Sequence, residues 1–90
     1  MANESTLQAE IIKKFWVMGI YCRKMRSESV RGFPDLLAID RGRVVLIEVK
    51  HPNGRGKLSA DQELEIALLR QHGAAVAVVD SLESALGIFS

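Results

Sequence analysis

The chain has 90 residues, 48% hydrophobic and 26% charged, with a formal net charge of +1. That supports one domain with a modest core, taken as a single unit over residues 1–90, and is too little for two. No eighteen-residue apolar run exists to span a bilayer, the N-terminus lacks a signal-peptide core, and the lone cysteine, Cys22, forbids an intrachain disulfide. The expectation is an intracellular, cytoplasmic protein with no membrane partner.

Ser5-Thr6-Leu7-Gln8 fits a capping box, and Leu7, Ile11, Phe15 and Met18 recur at helical spacing up to Gly19, which predicts a first helix. Glu10 lies at the edge of this stripe, where a solvated pairing with Lys14 competes with a chemical role. Phe15 and Trp16 are expected in the core rather than as platforms for bases. Residues 20–25 read as a strand and residues 26–32 as a polar loop. Residues 36–39 and 44–49 then read as a hairpin around Asp40-Arg41-Gly42-Arg43. Residues 51–57 form a flexible basic loop. Ser59-Ala60-Asp61-Gln62 is a second capping box, opening a helix to His72 with Gly73 as its C-cap. Residues 74–79 are wholly apolar, which predicts a strand covered on both faces. The helix before it suits a crossover setting it parallel to a hairpin strand. Asp80 or Ser81 caps a short final helix. The order predicts an α/β fold: a mixed four-stranded sheet with helices on both faces and a short C-terminal helix.

The hairpin is the informative segment. If Arg41-Gly42 is a two-residue loop, Asp40 faces Arg43 and Asp35 stands opposite Glu48. Lys50 shares their face, because side chains alternate along a strand. Leu37, Ile39, Val44 and Leu46 make the rest of that face apolar. Like charges opposed on a sheet destabilise it by roughly 0.2–1 kcal/mol when solvated, and more when buried. A divalent cation reverses that sign. Arg-Gly is not the preferred two-residue loop, however. A three-residue loop closed by Gly42 slips the pairing by one, and a bulge near Pro34 is then needed to reunite the acids. Taken singly, Asp35 reads as the end of a turn and Glu48 as a partner of Lys50; taken together they read as a metal site. Gln62 either closes its capping box or contacts substrate.

His51, His72 and Cys22 lack zinc-ligand spacing, and neither a nucleophile elbow nor a P-loop is present. Charge is lopsided: residues 1–57 hold eleven basic against six acidic residues, a balance of +5, and residues 58–90 hold one against five, a balance of −4. The positive half carries the candidate site, as suits a polyanionic ligand. Arg23, Lys24, Arg26, Arg31, Arg55 and Lys57 are the expected phosphate contacts.

Pro34-Asp35 followed by Glu48-Val49-Lys50 resembles the PD-(D/E)xK nuclease motif. With Glu10 on a preceding helix, the phrase Val30-Arg31-Gly32-Phe33-Pro34-Asp35 and Gln62 early in the second helix, nearly the whole chain resembles the VRR-NUC (virus-type replication-repair nuclease) domain. Its restriction-endonuclease-like αβββαβ core matches the order read above. The resemblance implies a divalent-metal-dependent endodeoxyribonuclease. Asp35, Glu48, the Val49 carbonyl and Glu10 would hold Mg²⁺ or Mn²⁺; Lys50 would activate water, and Gln62 would orient substrate or Lys50. It also points to branched DNA, four-way (Holliday) junctions above all, and to a homodimer. For a viral protein the compartment would be the host-cell cytoplasm. The helices carry many large apolar residues for so thin a domain (Ile12, Phe15, Trp16, Val17, Leu82, Leu86, Ile88, Phe89), which makes the first helix the expected dimer interface and the C-terminal helix the second choice. The competing readings are a non-catalytic DNA-binding module that keeps the fold, and a small regulatory protein whose acidic pair is structural.

Overall fold

The structure, a computed structural model, describes residues 3–90. Helix α1 (Glu4–Val17) begins earlier than expected, because Asn3 is its N-cap: Asn3 Oδ1 accepts from the Thr6 N–H at 2.8 Å. Ser5 therefore lies inside the helix, and Glu4 sits in the first turn, where the helix dipole favours a carboxylate. This phase turns Glu4, Leu7, Gln8, Ile11 and Phe15 to one side. The helix ends in a Schellman arrangement, with Ile20 N–H donating to Phe15 O at 2.8 Å and Gly19 N–H to Trp16 O at 3.1 Å.

Four strands follow: β1 (Tyr21–Lys24), β2 (Leu36–Asp40), β3 (Arg43–Val49) and β4 (Ala75–Val79), side by side in that order. The pairs β1–β2 and β2–β3 are antiparallel, and β3–β4 is parallel. The hairpin takes the two-residue loop: Asp40 pairs with Arg43 and Leu36 with Ile47. Arg41 (φ 50°) and Gly42 (φ 81°) both occupy left-handed backbone, as a type I′ turn demands. Gly42 adopts it freely, having no Cβ; Arg41 carries the steric cost, offset by the right-handed twist such a turn gives both strands.

Helix α2 (Ala60–Gln71) crosses from β3 to β4, and α3 (Leu82–Leu86) plus a 3₁₀ turn (Gly87–Phe89) closes the chain. Of the two expected caps for α3, Ser81 serves, accepting from Ser84 N–H at 3.0 Å. The core lies between α1, α3 and one sheet face, where Leu7, Ile11 and Phe15 meet Cys22, Leu36, Ala38, Val45, Ile47, Val49, Val79 and Ala85. Helix α2 covers part of the other face and buries Ile66. No helix among the described residues is long and apolar enough to cross a membrane.

Two expectations change. Strand β4 is not enclosed on both faces; Ala75 and Val78 are exposed, because the strand lies at the sheet margin. Most of the helical apolar residues are not surplus either. Phe15 is fully buried, and Ile12, Leu82, Leu86, Ile88 and Phe89 pack on the core, with the Phe89 ring edge-on to Phe15 at 5.8 Å. The C-terminal turns close the end of the α1–sheet layer, which leaves Trp16 and Val17 outside. Side chains also seal both sheet margins: Trp16 Nε1 donates to Cys22 O, and Arg70 Nη2 to Val76 O, each at 2.9 Å.

The loop entering β2 is seated on α2 at Gly32. Its φ is +81°, and a Cβ there would overlap the Asp61 carbonyl and the Gln62 nitrogen. Gly32→Ala is therefore expected to cost at least about 1 kcal/mol, a drop of about 4–8 °C in melting temperature for a domain this small. A thermal melt that matches the wild type would show that the loop is not held against α2.

Candidate active site

The register that pairs Leu36 with Ile47 makes Asp35 and Glu48 the next pair outward. Asp35 is tied to both neighbouring strands. Its backbone oxygen accepts from Met25 N–H at 2.7 Å, and its Oδ2 accepts from Val49 N–H at 2.9 Å. The carboxylate thus stands where a further ladder bond would have been, and its position follows from sheet geometry rather than from a mobile loop.

Glu48 is 1% exposed. Its Oε2 accepts from Gln62 Nε2 at 2.9 Å, while its Oε1 is buried without a partner. Burial pushes the Glu48 carboxyl up from 4.5 to about 8; the Asp35 carboxylate beside it adds to the rise by repulsion and by hydrogen-bonding the protonated form. Lys50 opposes the shift, and Glu4 adds to it by its charge. Free of a cation, Glu48 therefore holds its proton more tightly than an ordinary carboxyl.

Gln62 joins the two roles that its sequence position left open. Its Oε1 accepts from Ser59 N–H at 2.9 Å and from Lys50 Nζ at 3.3 Å, while Ser59 Oγ accepts from Gln62 N–H at 3.1 Å. One amide closes the capping box with its oxygen and holds Glu48 with its nitrogen. Lys50 is drawn to the same oxygen, so acid, amide and amine form one connected network.

The oxygen donors fit a hard divalent cation such as Mg²⁺ or Mn²⁺: two adjacent carboxylates repel, and one of their oxygens is buried and unpaired. Among the described residues no three His, Cys, Asp or Glu side chains cluster to hold an ion by themselves. The side chains that could hold such an ion are Asp35 and Glu48, with the Val49 carbonyl as a backbone candidate.

Glu10 is not brought to this site. It is exposed on the outer side of α1, beside a shallow groove shared with Lys13, Lys14, Val17 and Leu82. The physical reason is helix phase: at about 100° per residue Glu10 lies outside the stripe of Leu7, Ile11 and Phe15 that faces the sheet. The acid of α1 whose charge reaches Glu48 is Glu4, which sequence reasoning missed. Its signal was present: Asn3 precedes it as a cap, and Leu7, Gln8 and Ile11 follow at spacings of three, four and seven. Gln8, one turn beyond Glu4, is buried with its Oε1 unpaired.

The six expected phosphate contacts are all exposed. Arg26 and Arg31 lie in the loop that delivers Asp35, and Arg55 and Lys57 in the loop between Lys50 and α2. Arg23 and Lys24 are neighbours on β1 and so point to opposite faces. The loop after Lys50 is a hydrogen-bonded turn rather than a free segment: Asn53 N–H donates to His51 Nδ1 at 3.1 Å, and Arg55 N–H to Asn53 Oδ1 at 2.8 Å. Cys22 is buried, and burial pushes its thiol up to about 11, which leaves it unreactive.

Comparison with known proteins agrees with this geometry. The VRR-NUC domain profile matches residues 4–83. A solved structure described as a VRR-NUC domain superposes with a TM-score of 0.84 at 30% identity, covering 99% of this chain and 96% of that one. The Holliday junction resolvase Hjc of the archaeal hyperthermophile Archaeoglobus fulgidus superposes with a TM-score of 0.60 at 26% identity, covering 82% of this chain and 64% of that one. No curated protein sequence matches the chain.

The raised Glu48 carboxyl has a measurable consequence. A group whose folded pKa lies above its unfolded value stabilises the fold fully below the unfolded value, and that contribution is lost as pH rises through the folded one. The metal-free protein should therefore lose melting temperature as pH rises from 4.5 towards and past 8. Glu48→Gln should flatten that component and melt higher than the wild type on the alkaline side. Parallel melting profiles for the two proteins across this range would remove the assignment.

Proposed function

Because the chain belongs to the VRR-NUC domain family, we propose that it is a divalent-metal-dependent DNA endonuclease that hydrolyses phosphodiester bonds. The observation that carries this reading is the opposition of Asp35 and Glu48, joined through Gln62 to Lys50. Asp35, Glu48 and the Val49 carbonyl would hold Mg²⁺ or Mn²⁺, with Glu4 rather than Glu10 as the acid of α1 nearest the charge. Such an ion supplies Lewis-acid polarisation of a phosphodiester oxygen and a nucleophile at neutral pH. A bound cation would favour the ionised Glu48 carboxylate. Lys50 would offset charge on the phosphate and position the attacking water. Gln62 limits the swing of Lys50, because its oxygen is itself fixed by the Ser59 N–H.

The neighbour named as a Holliday junction resolvase supports four-way DNA as the preferred substrate. Resolving such a junction takes two symmetry-related cuts, and one domain carries one site. A twofold homodimer matches that need. Most of the apolar face of α1, the expected interface, is used in the core. Leu64 and Leu68, one turn apart on the outward side of α2 and 62% and 41% exposed, are what a second copy would cover.

The test is cleavage of a labelled panel of linear, flapped and four-way DNAs with and without Mg²⁺ or Mn²⁺. Asp35→Asn and Glu48→Gln should each lower the rate by at least about a hundredfold, the scale of one lost transition-state contact. Asparagine is preferred to alanine at position 35, since it still accepts from the Val49 N–H. Lys50→Ala should reduce turnover more than metal affinity. Robust cutting by Asp35→Asn at saturating Mn²⁺ would sink the assignment, and tight DNA binding with no cutting under any metal would favour a non-catalytic module.

Phosphate contacts are checked separately. Arg55→Ala and Lys57→Ala should each weaken binding to all DNA sequences and reduce the salt slope by about one. Unchanged affinity and slope would place the loop after Lys50 outside the DNA surface.

A further inference from the structure

The sheet face that carries Asp35 and Glu48 continues across β2 and β1. Helix α2 packs on β4 at the far margin, and Tyr21, Arg23 and Val44 on this face stay exposed. Arg23 pairs with Leu37, and Asp35 is two residues further along β2 on the same side, roughly 7 Å away along the strand. The row next to the acidic pair thus ends in a guanidinium.

That guanidinium is not free. Trp16 reaches round the β1 margin from α1, and its indole N–H is pinned to Cys22 O at 2.9 Å. The Arg23 Cζ lies 4.5 Å from the centre of the Trp16 ring and 5.1 Å from that of Tyr21. The two rings are 5.6 Å apart, tilted by 59°. Among the described residues Arg23 makes no salt bridge. Three planar groups are therefore held together in advance, although Trp16 is 43% and Tyr21 42% exposed. A core cluster would be covered; this one stands in solvent on the basic half of the chain, at the β1 margin of the sheet face that carries the acidic pair.

The geometry points to Trp16, Tyr21 and Arg23 as a stacking site for one unpaired nucleobase on the sheet face that carries the candidate metal site, a reading that rests on the nuclease function proposed above. A paired base offers only its edge to a protein, whereas an unpaired one offers its π-face, which aromatic rings and guanidinium planes bind. A guanidinium stacked on a ring keeps its N–H edge for the adjoining phosphate. Such a site selects DNA with a splayed or frayed base near the cut, and so provides structure selectivity without reading sequence.

Trp16 is the sole tryptophan, so its emission reports the site directly. In EDTA, the protein is titrated with a fluorescein-labelled duplex that is fully paired, and with the same duplex carrying a short unpaired thymine flap. Anisotropy reads binding while Trp16 emission reads stacking. The flapped DNA should quench Trp16 and the paired duplex should not. Tyr21→Ala and Arg23→Lys should each weaken flapped-DNA binding by at least about fivefold, the lower end of one base–aromatic stack, and Tyr21→Ala should change paired-duplex binding less than about twofold. Arg23→Lys keeps the charge and both rings in place, so its loss isolates the planar contact. Binding without quenching, equal quenching by both DNAs, or wild-type flap affinity in Arg23→Lys overturns the site. Parallel incubation with Mg²⁺ separates the two ideas. Cutting with a silent Trp16 removes the stacking site alone, and quenching without cutting under Mg²⁺ or Mn²⁺ removes the nuclease reading alone.

Discussion

Two carboxylates that repel each other are held side by side at the mouth of a hairpin, and the local structure is arranged around keeping them there. The β2–β3 register puts Asp35 opposite Glu48. The Val49 N–H holds Asp35 in line, and Gln62 holds Glu48. Such an arrangement is unfavourable in isolation, since burial and like charge both penalise it. It persists because protonation of Glu48 relieves it, and because the strands that impose it are fastened by a largely apolar layer on their other face.

Gln62 links this strain to the rest of the fold. Its amide closes the cap of α2 and reaches both Glu48 and Lys50. The start of α2 is itself seated under the Gly32 loop, which leads through buried Pro34 into Asp35. Both acids are therefore positioned from the same helix terminus, one by hydrogen bond and one by backbone contact.

The sheet margins serve a different purpose. Trp16 and Arg70 each take an outward carbonyl, on β1 and β4. Strand pairing with another chain is blunted at both sides. At β1 the same Trp16 also holds Arg23 over its ring, so that protection of the margin and presentation of a cation share one side chain.

The sequence by itself determined the element order, the hairpin and the grouping of Asp35, Glu48 and Lys50. These are local or periodic features: alternation in strands, a capping box, and a turn whose loop length sets the register. Even there, Arg41-Gly42 left two registers open, and strand twist in the folded hairpin chose between them. Which acid of α1 joins the site was not legible from the stripe alone. The resemblance implied Glu10, at the edge of the stripe, whereas in the folded chain the charge of Glu4, in the first turn after the Asn3 cap, reaches Glu48. The double role of Gln62 was also a tertiary outcome, because helix spacing cannot say what lies across from it on a strand fourteen residues away. The same holds for Trp16: a large ring on an apolar helix reads as core, yet at the end of α1 it meets the margin of the sheet rather than its face. Contacts between elements distant in the chain depend on how the layers dock, and docking is decided by the shape of the whole core.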